Sequence, residues 1–259
     1  MVLKSLILAV DGDIIIPMIY SYGLISLSAI ILIAWCWRYC IKPYFAKNDL
    51  HNYFNNHARG DQLKKTEKLL KLLYKNTPSG FISYRERKRL KMEEDAFTYG
   101  EIQFLSFFSI LDMVKPQAHE IFYDLGSGAG KAVFATAFYG DIAKCYGVEL
   151  LPKLYELSNN KILKAKANAF SLEKISRIQF INKNFFDIDF TDGDIIFINA
   201  TCLSFTAWEK IQQELLKLKS GSRIIVTTKK IVSDHFSIIY QGMTLMSWGI
   251  NSIHIYQKI

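Results

Sequence analysis

The stretch IFYDLGSGAGKAVFATAF, residues 121–138, constrains this chain more than any other. Residues 121–123 read as a short apolar strand that Asp124 ends. Gly126, Gly128 and Gly130 follow at Gly-x-Gly-x-Gly spacing, and residues 131–138 read as a helix. Glycine lets the backbone turn tightly and lets a ligand come close. Strand, turn and helix in this order open a βαβ unit of a parallel sheet. A second apolar stretch ends in Glu149, 25 positions after Asp124. An acid at the tip of a second strand can hold ribose hydroxyls. The turn lacks the Lys-Ser/Thr pair of a phosphate loop, so it suits a ligand without pyrophosphate.

The α/β pattern continues downstream. Residues 178–181 read as a strand leading to Asn184-Phe185, and residues 194–199 as a strongly apolar strand ending in Asn199. Residues 208–219 read as a helix, which Gly221 turns into a strand over 223–228. Residues 252–259 alternate, as antiparallel strands closing a parallel sheet would. Ligands of α/β sheets bind at the carboxyl ends of strands, which makes Asn199 a candidate site residue. Phe197, mid-strand, reads equally well as core.

The chain has 259 residues, half of them hydrophobic and 22% charged, which excludes global disorder. Its four cysteines form no Cys-x-x-Cys pair, and its five histidines form no His-x-x-x-His. A disulfide scaffold, a thiolate zinc cluster and a zincin are therefore excluded, and no metal site is expected.

The first 94 residues have a different character. Residues 14–37 carry no charge, and a bilayer core about 30 Å thick needs roughly 20 apolar residues as helix. Arg38, Lys42 and Lys47 follow, so residues 14–37 are expected to span a membrane once, with the remainder of the chain cytoplasmic. Pro17 and Gly23 argue against a buried core helix. The run is also long for a signal-peptide core and lacks a small-residue cleavage site. The formal charge of +8 is local: residues 38–95 hold 14 Lys/Arg and 7 Asp/Glu, the other 201 residues 18 and 17. Residues 43–60 read as a polar and aromatic connector. Asp61 then caps a Lys-rich helix that residues 77–80 stop, and a basic run, residues 85–91, follows. Residues 38–92 could meet anionic lipid or an acidic protein surface, or form a solvated helical face on the next domain. Nucleic acid ranks behind these, because no RNP, KH or zinc-finger pattern is present.

DLGSGAGK with Glu149 resembles the S-adenosylmethionine site of class I methyltransferases, with an NAD-binding Rossmann domain as the chemical rival. In that family the glycine turn faces the methionine part and the acid holds the ribose. Residues 95–259 also resemble a narrower family, the disruptor-of-telomeric-silencing (Dot-type) histone-lysine methyltransferases. Four elements carry this: Phe97-Thr98-Tyr99-Gly100-Glu101, the glycine turn with Glu149, Asn184-Phe185, and Ile196-Phe197-Ile198-Asn199. Ser247-Trp248 resembles the family's closing hairpin. Lys131 stands where the family has Gln, Asn184 where it has Asp, and Ala200-Thr201-Cys202 where it has Asn-Phe-Ala. A hydrophobic leader and a basic residue after the turn also resemble the membrane-associated mitochondrial lysine methyltransferases, which lack Tyr-Gly-Glu.

The resemblance implies a class I, Rossmann-like, mostly parallel sheet with helices on both faces over residues 95–259. Before it are expected a flank over 1–13, a transmembrane helix over 14–37 and a basic helical segment over 38–94. It implies S-adenosyl-L-methionine as cofactor, bound by Tyr99, Glu101, Asp124, Gly126, Gly128, Gly130, Lys131, Glu149, Asn184, Phe185 and Asn199. It implies methyl transfer to a protein lysine, with Asn199, Tyr99 and Phe197 shaping the lysine channel. A small-molecule or lipid methyltransferase at the membrane and a non-catalytic binding module are the alternatives.

Overall fold

The computed structural model describes residues 9–10, 13–14, 27–92, 99–168 and 170–259. The chain divides into two units, Met1–Tyr44 and Phe45–Ile259. In the first, strands β1 (Ala9–Val10) and β2 (Asp13–Ile14) pair antiparallel, and helix α1 spans Leu27–Cys36. A π-helical turn, Trp37–Ile41, follows α1.

The expected span over residues 14–37 is therefore corrected in its described parts. Ile14 lies in β2, and α1 has ten residues, about 15 Å of helix against a hydrocarbon core of about 30 Å. Residues 15–26 lie outside the described residues. Among the described residues no helix is long and apolar enough to cross a membrane.

Three helices, α2 to α4, follow α1. Helix α2 (Lys42–Asn56) replaces the expected connector. Its order comes from distant partners: Phe54 is fully buried, and Tyr53 Oη donates to Asp112 Oδ2 at 3.0 Å. Helix α3 (Gly60–Leu73) buries Leu63, Leu70 and Leu73. Asp61 lies within its first turn rather than capping it, because the helix already begins at Gly60, after Arg59. Helix α4 (Ser79–Arg89) contains most of the basic run. Its buried Glu86 accepts the Lys153 N–H at 2.8 Å and pairs with Arg89 at 3.2 Å, so one face of α4 packs on the start of the helix that contains Lys153.

The second unit is built on a seven-stranded sheet. Helix α5 (Phe104–Val114) leads into β3 (Ile121–Leu125), α6 (Lys131–Tyr139), β4 (Lys144–Glu149), α7 (Pro152–Ala167), α8 (Leu172–Ser176) and β5 (Ile178–Asn182). Then come β6 (Ile195–Asn199), α9 (Phe205–Leu215), β7 (Arg223–Thr227), β8 (Phe236–Met246) and β9 (Gly249–Lys258). The order across the sheet is β5-β4-β3-β6-β7-β9-β8; the first five run parallel, and β9 and β8 are antiparallel. Helix α9 starts three residues before the expected position because Ser204 Oγ accepts the Ala207 N–H and caps it.

The central strands are apolar on both sides, as strands covered on both faces must be. Phe122, Ile195, Phe197, Ile225 and Ile255 join one core with α5 and α6. Tyr123, Leu125, Ile196, Ile198, Ile224 and Val226 join the other with α9. Each fully buried large side chain contributes roughly 1.5–3 kcal/mol. This is the expected Rossmann-like architecture, and it leaves the carboxyl ends of β3, β4 and β6 side by side.

Candidate active site

The glycine turn leaves β3 in conformations that only glycine adopts without strain: Gly126, Gly128 and Gly130 have φ of +88°, +55° and +85°. The turn is hung on β4 by two bonds, from Gly126 N and Ser127 N to Val148 O, each 2.9 Å. Glu149 grips it from the other side. Its Oε2 accepts from Gly128 N at 2.7 Å and its Oε1 from Leu151 N at 2.8 Å.

Above the turn lies a strap, residues 99–103. Tyr99 Oη accepts from Ala129 N at 3.2 Å and donates to Glu101 Oε1 at 2.7 Å. Glu101 Oε2 pairs with Lys131 Nζ at 2.5 Å. A Cβ at Gly128 would stand 2.7 Å from Tyr99 Oη, so this glycine is what lets the strap come down. The closing hairpin holds the strap's far side. Ser247 N donates to Glu101 O at 2.8 Å, and Glu101 N donates to Ser247 Oγ at 3.1 Å. The Trp248 ring lies where a Gly100 side chain would be. Asn199 Nδ2 ties the strap to β6 by donating to Gly100 O at 2.8 Å.

These elements enclose a cavity of about 540 Å³, a size ordinary for small-molecule sites. Tyr99, Glu101, Asp124, Gly126, Gly128, Lys131, Glu149, Asn184, Phe185, Phe197 and Asn199 all line it. Gly130 does not. A side chain there would run into the Phe180 ring, so this glycine serves helix–strand packing instead. Asn184 Oδ1 also accepts the Phe186 N–H at 3.1 Å, shaping the turn that presents Phe185 and Phe186. Phe197 lines the cavity and also packs on Phe107, with ring centroids 4.9 Å apart. Phe97 and Thr98 lie outside the described residues. Leu150, Leu203 and Ser204 also line the cavity and carried no sequence signal, and Arg87, part of the basic run, lines it as well. Their segments come together only through tertiary packing.

The electrostatics are unusual. Asp124 is 3% exposed, and no group among the described residues donates to its carboxylate. Burial, then the nearby Glu149, pushes its pKa well above the usual carboxylate range. Burial also raises Glu149, against the pull of its two backbone N–H donors and of Arg87. Two buried carboxylates in one cavity favour a ligand that brings positive charge.

The family model described as "Histone methylation protein DOT1" matches residues 86–251, well over half of the chain. The chain belongs to the DOT1 histone-methylation family. One relative of this DOT1-family protein is "Histone-lysine N-methyltransferase, H3 lysine-79 specific" of Caenorhabditis elegans. It is 32% identical over 152 residues, which cover 56% of this chain and 16% of that one. A second is "Protein-lysine N-methyltransferase" of Saccharolobus islandicus (strain REY15A), 26% identical over 117 residues, covering 45% and 66%. The matched part thus spans about a sixth of the first relative and just under two thirds of the second. Similar solved structures include TrmN from Thermus thermophilus, with TM-score 0.49 and 15% identity over 67% of this chain and 53% of that one. An RNA methyltransferase from Salinibacter ruber, in complex with S-adenosyl-L-homocysteine, gives TM-score 0.45 and 16% identity over 59% and 89%.

Proposed function

We propose that this chain is an S-adenosylmethionine-dependent protein-lysine N-methyltransferase of Dot type, acting on a histone-like lysine. The observation that carries the reading is the meeting of glycine turn, strap and Asn199 around one cavity that holds two buried carboxylates. S-adenosylmethionine, when bound, supplies a methyl group already activated on a sulfonium.

The residues fit that cofactor. Ser127 Oγ is buried among the described residues without a partner, beside the turn, and Asp124 lacks a donor. Asp124 and Glu101 suit an ammonium, and Lys131 suits a carboxylate. Glu149 suits ribose hydroxyls, and Asn184 and Phe185 suit the adenine. The protein's own work is then alignment. Tyr99, Phe197 and Asn199 enclose the acceptor amine, and the apolar wall favours its neutral form by desolvation. The proton released on transfer passes to solvent. That both relatives are named as lysine N-methyltransferases supports lysine as acceptor.

The test is calorimetric titration of S-adenosylmethionine into the purified chain, followed by transfer of labelled methyl to core histones. Binding that Asp124→Ala removes, and label on histone lysine, are expected. Absence of binding in folded protein would sink the reading and favour a non-catalytic module.

A further inference from the structure

Asn199 is held more tightly than a side chain at a strand end needs to be. Its Oδ1 accepts from Thr227 Oγ1 at 2.7 Å and from Thr201 Oγ1 at 2.9 Å. An amide oxygen has two lone pairs, and both are used. One Nδ2 proton goes to Gly100 O. That carbonyl also fixes which way the amide faces, since a flipped amide would set oxygen against oxygen. What remains for the cavity is a single N–H donor. Asn199 cannot accept a hydrogen bond from an incoming amine.

The backbone beside this network is strained. Thr228 has φ of +63°, a left-handed conformation unfavourable for a β-branched residue. Lys229 N closes a three-residue turn onto Thr227 O at 2.7 Å. Thr228 Oγ1 donates back to Thr227 O at 2.6 Å and lies 3.4 Å from Thr201 Oγ1. Thr228 N is pinned to Ser252 O at 3.0 Å on β9. The Thr227 side chain is fully buried. Asparagine or glycine would suit position 228 better as backbone, so a strained threonine there calls for a reason in the site.

We propose that Thr201, Thr227 and Thr228 are positioning residues for methyl transfer: they lock the Asn199 amide so that it holds the strap at Gly100 and offers the cavity only an N–H. The strained turn at Thr228 sets the Thr227 hydroxyl, which is the firmest part of the lock. The proposal rests on the methyltransferase reading.

The experiment uses the full chain with S-adenosylmethionine and histone H3 as probes. Thr227→Val should lower kcat by about tenfold and change donor Kd by less than about threefold, and Thr227→Ser should restore most of kcat. Thr228→Gly should raise the melting temperature by relieving strain, yet lower kcat. In ¹⁵N spectra the Asn199 side-chain amide should exchange slowly with solvent in wild type and quickly in Thr227→Val. Wild-type kcat in Thr227→Val, or a more stable Thr228→Gly with undiminished kcat, would overturn the proposal. If wild type methylates nothing, the methyltransferase reading fails. The amide exchange still decides the lock: equal protection in wild type and Thr227→Val refutes it.

Discussion

Glu101 and Lys131 form an ion pair of 2.5 Å between the strap and the first turn of α6, with the Tyr99 hydroxyl on the other carboxylate oxygen. The pair is partly buried, and the Lys131 ammonium also lies 5.6 Å from the Tyr74 ring centroid and 5.9 Å from that of Phe104. Position 131 thus links the strap, the helix and an aromatic wall.

Lys131→Ala should weaken S-adenosylmethionine binding by about tenfold, roughly 1.4 kcal/mol, because it leaves Glu101 uncompensated and removes a cation from the cavity. Lys131→Gln, which keeps a donor, should lose less. Calorimetric titration of both variants checks the order, and equal losses would refute the role of donor geometry.

Two glycines two residues apart should fail differently. Gly130→Ala forces the Phe180 ring aside and strains a left-handed backbone, so it should cost about 1–3 kcal/mol of stability. Gly128→Ala instead meets the hydroxyl end of Tyr99. It should lift the strap and cost donor affinity beyond what its own backbone strain costs in stability. Denaturant melts beside binding titrations separate the two.

Asp124 gives a pH dependence whose sign can be stated. Its folded-state pKa lies above its unfolded one, so the folded protein keeps a proton that the unfolded chain has released. Stability of the ligand-free protein from this group therefore falls as pH rises from the usual carboxylate range towards the raised value. Asp124→Asn should flatten that fall and raise the ligand-free melting temperature at neutral pH, while abolishing donor binding. Melting curves from mildly acidic to neutral pH check it; an unchanged slope in the variant would count against it.

Trp248→Ala removes the ring seated on Gly100. Trp248 packs on the edge of the core from a partly exposed position, so the fold should persist while KM for donor and acceptor rise together. Steady-state kinetics with histone H3 read the change.

Much of the sheet was legible in the sequence because its strands are buried on both faces and read as short apolar runs. Asp124, Glu149 and the glycine turn were legible for the same local reason: all their signals lie within a few residues. Helix α2 was not, since Tyr53 and Phe54 earn no periodic pattern and are ordered by Asp112 and its neighbours. Gly130 was assigned to the cofactor because spacing cannot tell a glycine that admits a ligand from one that admits a phenylalanine. The partners of Asn199 were hidden too. Thr227 lies on the neighbouring strand, and only the register of β6 with β7 places it opposite Asn199.

The clasp between Glu101 and Ser247 joins two segments separated by almost the whole sheet in chain order. While the protein is being synthesised, the glycine turn emerges long before the hairpin that holds the strap over it. The strap therefore gains its clasp only once nearly the whole sheet has been made. A nascent chain stopped between residues 227 and 247 would hold the parallel strands and the glycine turn but lack the Ser247 clasp on the strap.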